Sequence, residues 1–312
     1  MSRAVSLEKR VVMESQQKQQ MKSRDIRFSL KKNKHGILHK VKFLLIFFLI
    51  LSACSRKEEP QLSSCLTREE KEDLDYFLRF LLIRHSGVFV LFGSKPLCDG
   101  GFFEHVVQRK KSPYLRNPLD GWKVWEKVKT KIPLNPRFVI TMQPRILSIE
   151  GVDRKLYLFQ LIDIQKTAIV LAENYELFKS CTGMDFHPLE KVFEIEDPNS
   201  IFWQKAFYDQ VTLGILYGFG KNNALFYEWR ENFEPRPGPI SQFLQNTCTF
   251  ACKDEIPWRD VDSKGFDVLS IPGFIAIEGD EVVERYKREK EAIRKIYRGK
   301  DLVETTLRRL AK

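Results

Sequence analysis

Nine consecutive apolar residues, Phe43 to Leu51, stand between a basic stretch and a cysteine, and this run splits the chain into two parts that cannot share one fold. Lys22, Arg24, Arg27, Lys31, Lys32, Lys34, Lys40 and Lys42 precede it. Ser52-Ala53-Cys54 and the polar Ser55-Arg56-Lys57-Glu58-Glu59-Pro60 follow it. A helix that spans the hydrocarbon core needs ~20 apolar residues; Phe43 to Ala53 offers 11. Extension backward meets Lys42 and Lys40, which are expensive in lipid. A basic region, a short apolar region and a small-residue site in this order are the parts of a secretory signal. Residues 1–53 are therefore expected to be removed by cleavage between Ala53 and Cys54. Residues 1–20, with Gln16, Gln17, Gln19 and Gln20, fit neither signal nor fold, so Met21 is the expected start of translation.

Leu51-Ser52-Ala53-Cys54 resembles the lipobox of bacterial lipoproteins, an aliphatic residue and two small ones before a cysteine. The resemblance implies that the Cys54 thiol takes a diacylglyceryl group and that its new amine is acylated after cleavage. At ~0.8 kcal/mol per buried CH2, two or three such chains hold a protein on a bilayer where one does not. The expected location is a cell membrane or outer membrane, with the mature domain facing the periplasm or the exterior. Ser55 stands where inner-membrane lipoproteins often carry Asp, which points to the outer membrane.

The formal net charge of +11 suggests nucleic acid until it is divided along the chain. Residues 1–53 hold 12 Lys and Arg against 3 Asp and Glu, which leaves a net of only +2 for the rest. A near-neutral domain has little general attraction to a phosphate backbone, so the expected partners are the membrane and envelope proteins, not nucleic acid. Lipidation of Cys54 would leave Cys65, Cys98, Cys181, Cys248 and Cys252. Cys248 and Cys252 are a possible disulfide in an exported protein. Their spacing is not the C-x2-C of zinc sites, and neither a metal nor a cofactor is expected.

The mature chain reads as α+β, a helix-rich single domain with a small antiparallel sheet. Residues 54–66 are expected as a lipidated tether and 67–312 as the globular domain, with a possible internal boundary near 231–241, where Pro235, Pro237, Gly238 and Pro239 cluster. Thr67-Arg68-Glu69-Glu70 has the form of a capping box. The spacing of Leu74, Phe77, Leu78, Leu81 and Leu82 predicts a helix ending at Ser86-Gly87. Val88–Phe92 is expected as a strand, and Asp99-Gly100-Gly101, like Lys95-Pro96, as a turn. A helix is expected over Leu119–Lys131. Three strands, Arg137–Met142, Arg145–Glu150 and Lys155–Ile162, follow. Ile164–Lys179 and Asn199–Tyr217 are expected as helices started by Asp163 and Asp197-Pro198. Gly218-Phe219-Gly220 breaks the second, and Asn222–Arg230 resumes it. Val268–Ile271 and Phe274–Ile277 read as short strands. Asp280 and a second capping box, Asp301 to Glu304, open two terminal helices. The stretch 280–312 carries 11 basic and 7 acidic residues and a thin apolar stripe, Val282, Tyr286, Ile293 and Ile296, suited to packing by one edge, or to a partner helix or lipid.

No motif carries chemistry outright. Gly218-Phe219-Gly220-Lys221 lacks the G-x4-G-K-[ST] frame of a phosphate loop and follows a helix instead of a strand; packed aromatics around a glycine break account for it. Cys181, Asp185 and His187 could supply a nucleophile and base, but nothing around them matches a known signature; a structural role accounts for them better. His85 and His105 are isolated. The runs Asp73–Pro96 and Leu213–Trp229 are similar to uncharacterised membrane-associated proteins of obligate intracellular bacteria, a likeness that implies neither activity nor site residues. The chain is expected to be a non-enzymatic envelope interaction protein. The alternatives are an envelope enzyme with dispersed catalytic residues and a solute-binding lipoprotein with two lobes around a cleft.

Overall fold

Thr67 opens the first helix, α1 (Arg68–Arg79), through a complete capping box: its hydroxyl accepts from Glu70 N at 3.2 Å, and the Glu70 carboxylate accepts from Thr67 N at 2.9 Å. The structure is a computed structural model that describes residues 61–104, 116–149, 151–232, 248–250, 265–277 and 279–312, with residues 232 and 248–250 described by backbone alone. Leu74, Phe77 and Leu78 form the buried face of α1. The helix widens into a π-turn, Phe80–Arg84, before Ser86 turns the chain at φ 59°.

Two expectations fail just beyond. Val88–Phe92 is a turn of helix, α2, not a strand. Val88, Phe89, Val90 and Leu91 are all sealed in the core, and a run apolar at every position carries no period to separate strand from helix. Asp99-Gly100-Gly101 is not a turn but the middle of β1 (Leu97–Phe103). A Cβ at Gly100 would lie 2.6 Å from the His85 ring, so this glycine marks a close approach within a strand.

After α3 (Pro118–Lys129) come β2 (Phe138–Ile149) and β3 (Val152–Asp163), joined at Gly151. The two strands expected between Arg137 and Glu150 are one. Pro144 lies inside it without breaking it, because the order β1-β3-β2 makes β2 an edge strand, where a residue without an N–H can face outward. All pairing is antiparallel, with Leu97 and Val139 both opposite Ile162, and Cys98 and Ile140 both opposite Leu161.

Alternation along these strands builds two cores. One face presents Cys98, Ile140, Tyr157, Phe159 and Leu161 to a core shared with α1, α2, α3 and the terminal helices. The other presents Leu97 and Ile162 to a second core made with the helices that follow β3. These are α4 (Ile164–Glu173), α5 (Tyr175–Thr182), α6 (Pro188–Phe193), α7 (Ile201–Tyr208), α8 (Gln210–Leu216) and α9 (Lys221–Asn232). Asp163 caps α4, accepting from Lys166 N at 3.1 Å. The helices expected over 164–179 and 199–217 are each two. Asn174 closes α4 by bonding Val170 O, and Asp209 caps α8 by accepting from Thr212 N. Asp197 makes a turn to Asn199 N, so α7 begins only after Ser200.

Val268–Ile271 is not a strand; a 3-10 turn covers Gly265–Val268. β5 (Ile275–Ile277) instead pairs with β4 (Cys248–Phe250), which the sequence did not reveal. Asp280 and Asp301 cap α10 (Glu281–Tyr297) and α11 (Leu302–Ala311). The second capping box is half formed. The Glu304 carboxylate turns from its own helix to accept from Leu62 N, Ser63 N and Ser63 Oγ at 3.2, 2.9 and 2.9 Å. Leu62–Cys65, expected in the tether, is thereby a 3-10 turn fixed to α11. Gln61–Lys312 is one compact unit, α+β and helix-rich. Ala53, Cys54, His105, Cys252 and the Pro235–Pro239 cluster lie outside the described residues, as does the Cys248 side chain.

Candidate functional site

The break between α8 and α9 brings a polar cluster together. Tyr217 ends α8, and its hydroxyl donates to Asp99 Oδ2 at 2.6 Å. Gly218 sits at φ +77°, and a Cβ there would lie 2.5 Å from the Tyr286 hydroxyl, which donates to Gly218 O. Only glycine combines that dihedral with that closeness. The turn sets the Tyr217 and Phe219 rings 5.4 and 5.7 Å from Lys95 Nζ. Lys95 is 5% exposed. Burial holds its ammonium below the usual lysine range, with Cys98 and Asp99 acting in the opposite sense. Burial, and then the Asp99 carboxylate, push the Tyr217 phenol well up, so it stays a donor. The packed-aromatic reading of Gly218-Phe219-Gly220 fits this geometry.

The register extends the cluster across the sheet. Asp99 and Thr141 both lie opposite Gln160, so the three share a row on the face toward the second core. Gln160 and Thr141 are buried, and Gln160 Oε1 and Thr141 Oγ1 have no hydrogen-bond partner. Next to Tyr217, a cavity of about 260 Å³ opens between α8, α9 and Gly273–Ile275. Leu213, Tyr217, Phe219, Tyr227 and Phe274 give it apolar walls. Asn223, also in the wall, donates to Phe219 O and Asp280 Oδ1, and its carboxamide oxygen is unpartnered. An unmatched buried acceptor costs ~1–3 kcal/mol. In the cavity the Asn223 carboxamide oxygen can accept a hydrogen bond from a small donor-bearing group, while the Lys95 ammonium lies over two aromatic faces with Asp99 favouring its charge.

Cys181, Asp185 and His187 do not converge. Cys181 Sγ lies 3.8 Å from Lys205 O and 3.9 Å from Thr212 Oγ1, beside an open hollow of about 590 Å³ bordered by Asp209, Glu228 and Glu231. Burial and then Asp209 raise its thiol, the wrong direction for a nucleophile. Asp185 is engaged by Lys179 at 2.6 Å and Tyr175 at 2.8 Å, which hold it below the carboxylate range. His187 stands before Pro188 at the start of α6. Burial pushes the Cys98 thiol up to about 12 and His85 down to about 4, so both are neutral. Cys65, Cys98 and Cys181 are free thiols. Among the described residues no group of His, Cys, Asp and Glu could hold a metal.

Sequence reasoning missed Lys95, Asp99, Thr141, Gln160 and Tyr217. Gln160 carried a signal, a lone amide in the run Leu156 to Ile162. The Tyr217–Asp99 bond spans 118 positions and left none. No family model, curated protein or solved structure matches the chain.

Proposed function

We propose that the chain is a lipid-anchored envelope protein whose domain works by contact with partners, not by catalysis. The observation that carries this reading is Leu51-Ser52-Ala53-Cys54 directly after a basic stretch and a nine-residue apolar run. The compact unit beginning at Gln61 supports it, because a cut before Cys54 would leave that unit whole on a short tether. No helix among the described residues is long and apolar enough to cross a membrane. The apolar run before Cys54 is shorter than the ~20 residues of a span, so acyl chains would do the holding. Support for partner contact comes from α6 and α7, where Phe193, Ile201 and Tyr208 are 68, 61 and 88% exposed.

Fatty-acid labelling tests the anchor. The parent chain should take label and float with membranes. Cys54→Ser should take none and accumulate as the longer precursor. An unlabelled parent, with size and partitioning unchanged by the substitution, refutes the anchor. Photocrosslinking from position 193 in native envelopes tests the contact half. Discrete adducts are expected, and their absence from a correctly localised chain refutes it.

A further inference from the structure

The β2–β3 ribbon outruns its sheet. β1 stops at Phe103, opposite Leu156, while β2 and β3 go on pairing from Ile146–Lys155 to Ile149–Val152. Register partners share a face and faces alternate. One face of the ribbon therefore carries Arg145, Leu147, Ile149, Val152, Arg154 and Leu156. Nearer the domain, that face packs Leu97 and Ile162 into the second core. In the ribbon it emerges, with Val152 56% exposed and Leu147 37%. Ile146, 74% exposed, lies on the opposite face with Ser148, Asp153 and Lys155, so what sets the face of Leu147 and Val152 apart is its charge: two guanidinium groups and, among the described residues, no acid.

An apolar projection in water calls for a cover, and its charge selects the kind. Two arginines beside aliphatic side chains match a surface that is anionic outside and apolar just beneath. The other basic segment offers no such face, because Tyr286, Ile293, Tyr297, Leu302, Leu307 and Leu310 are buried in the first core. We infer that the ribbon is a second membrane contact, with Leu147, Ile149 and Val152 entering the headgroup boundary of an anionic leaflet and Arg145 and Arg154 on lipid phosphates. This rests on the proposed anchor at Cys54 to bring the domain to the bilayer. The ribbon then orients a chain already tethered. Each arginine near such a surface strengthens binding roughly fivefold.

The test uses the full chain carrying Cys54→Ser and a terminal histidine tag, held on vesicles by chelating lipid, so recruitment is independent of acylation. Val152→Trp places a reporter on the ribbon, read against the parent's own tryptophans, with Leu147→Trp as the substitute should the first fail to fold. On vesicles of phosphatidylglycerol and brominated phosphatidylcholine, the added emission should shift to the blue and be quenched. Arg145→Gln with Arg154→Gln should weaken the quenching several-fold, and vesicles without phosphatidylglycerol should give little. An unquenched reporter on bound chain overturns the inference, and equal quenching on neutral vesicles overturns the charge match. A reporter shielded from both lipid bromine and aqueous iodide, in a chain that sediments as a dimer, assigns the face to a second copy. Failure of the anchor itself would appear separately, in the fatty-acid labelling.

Discussion

Gly218 and His85 show how single residues hold the centre of the molecule. Gly218→Ala adds a methyl group against the Tyr286 hydroxyl at a positive φ. The change should cost about 2–4 kcal/mol, read as a drop in Tm, and should loosen the Tyr217–Asp99 bond. His85 is sealed between Phe80 and Gly100 with Nε2 unpartnered. Its folded pKa falls from 6.5 to about 4, through burial first and then Arg84 and Lys95. Between those values the unfolded chain binds the extra proton, so stability is complete above pH 6.5 and falls as the pH drops toward 4. The loss from pH 7 to 4.5 is about 2–3 kcal/mol. Urea unfolding at both pH values should show that much less pH dependence in His85→Gln. Asp163 titrates in a lower window. Burial opposes its charge, but Arg137 and Lys166 hold it below 3.8, so its contribution is complete above 3.8 and is lost as the pH falls from there through the folded pKa.

Elements were legible where a cap or a period marked them. Thr67, Asp163, Asp280 and Asp301 each start a helix where the sequence places one. Interior polar residues were the weak point. Asn174 and Asp209 look like ordinary surface positions in long helices, yet each ends one helix and starts another. The α2 run and the glycines of β1 were misread for a different reason: local composition does not register what packs against it. Only tertiary contact explains a glycine kept small for a histidine 15 positions earlier. The row of Asp99, Gln160 and Thr141 depends on register, and so lay beyond any single segment. Glu304 gives an element-scale prediction. Glu304→Gln keeps the shape but removes the charge that binds two amides and a hydroxyl. Hydrogen exchange at residues 62–66 should quicken about tenfold, a local loss of about 1–2 kcal/mol, with little change at the centre of β3.

At the scale of the whole molecule, β3 belongs to both cores, since Leu161 faces one and Ile162 the other, both fully buried. Neither core can dissolve and leave that strand in place. Leu161→Ala and Ile162→Ala should each cost about 2–5 kcal/mol, and each should lower one cooperative transition instead of splitting it in two. Scanning calorimetry distinguishes the outcomes, and a second peak in either variant would show that the cores are independent. The clasp at Glu304 reaches further. Lys71 pairs with Asp301 at 2.6 Å, and Asn135 N donates to Leu310 O at 2.7 Å, so the last helix closes over the first. A ribosome must release more than 240 further residues before the opening turn of the domain finds its acceptor. That turn must therefore wait for α11, and a chain truncated before α11 leaves residues 62–65 unfastened.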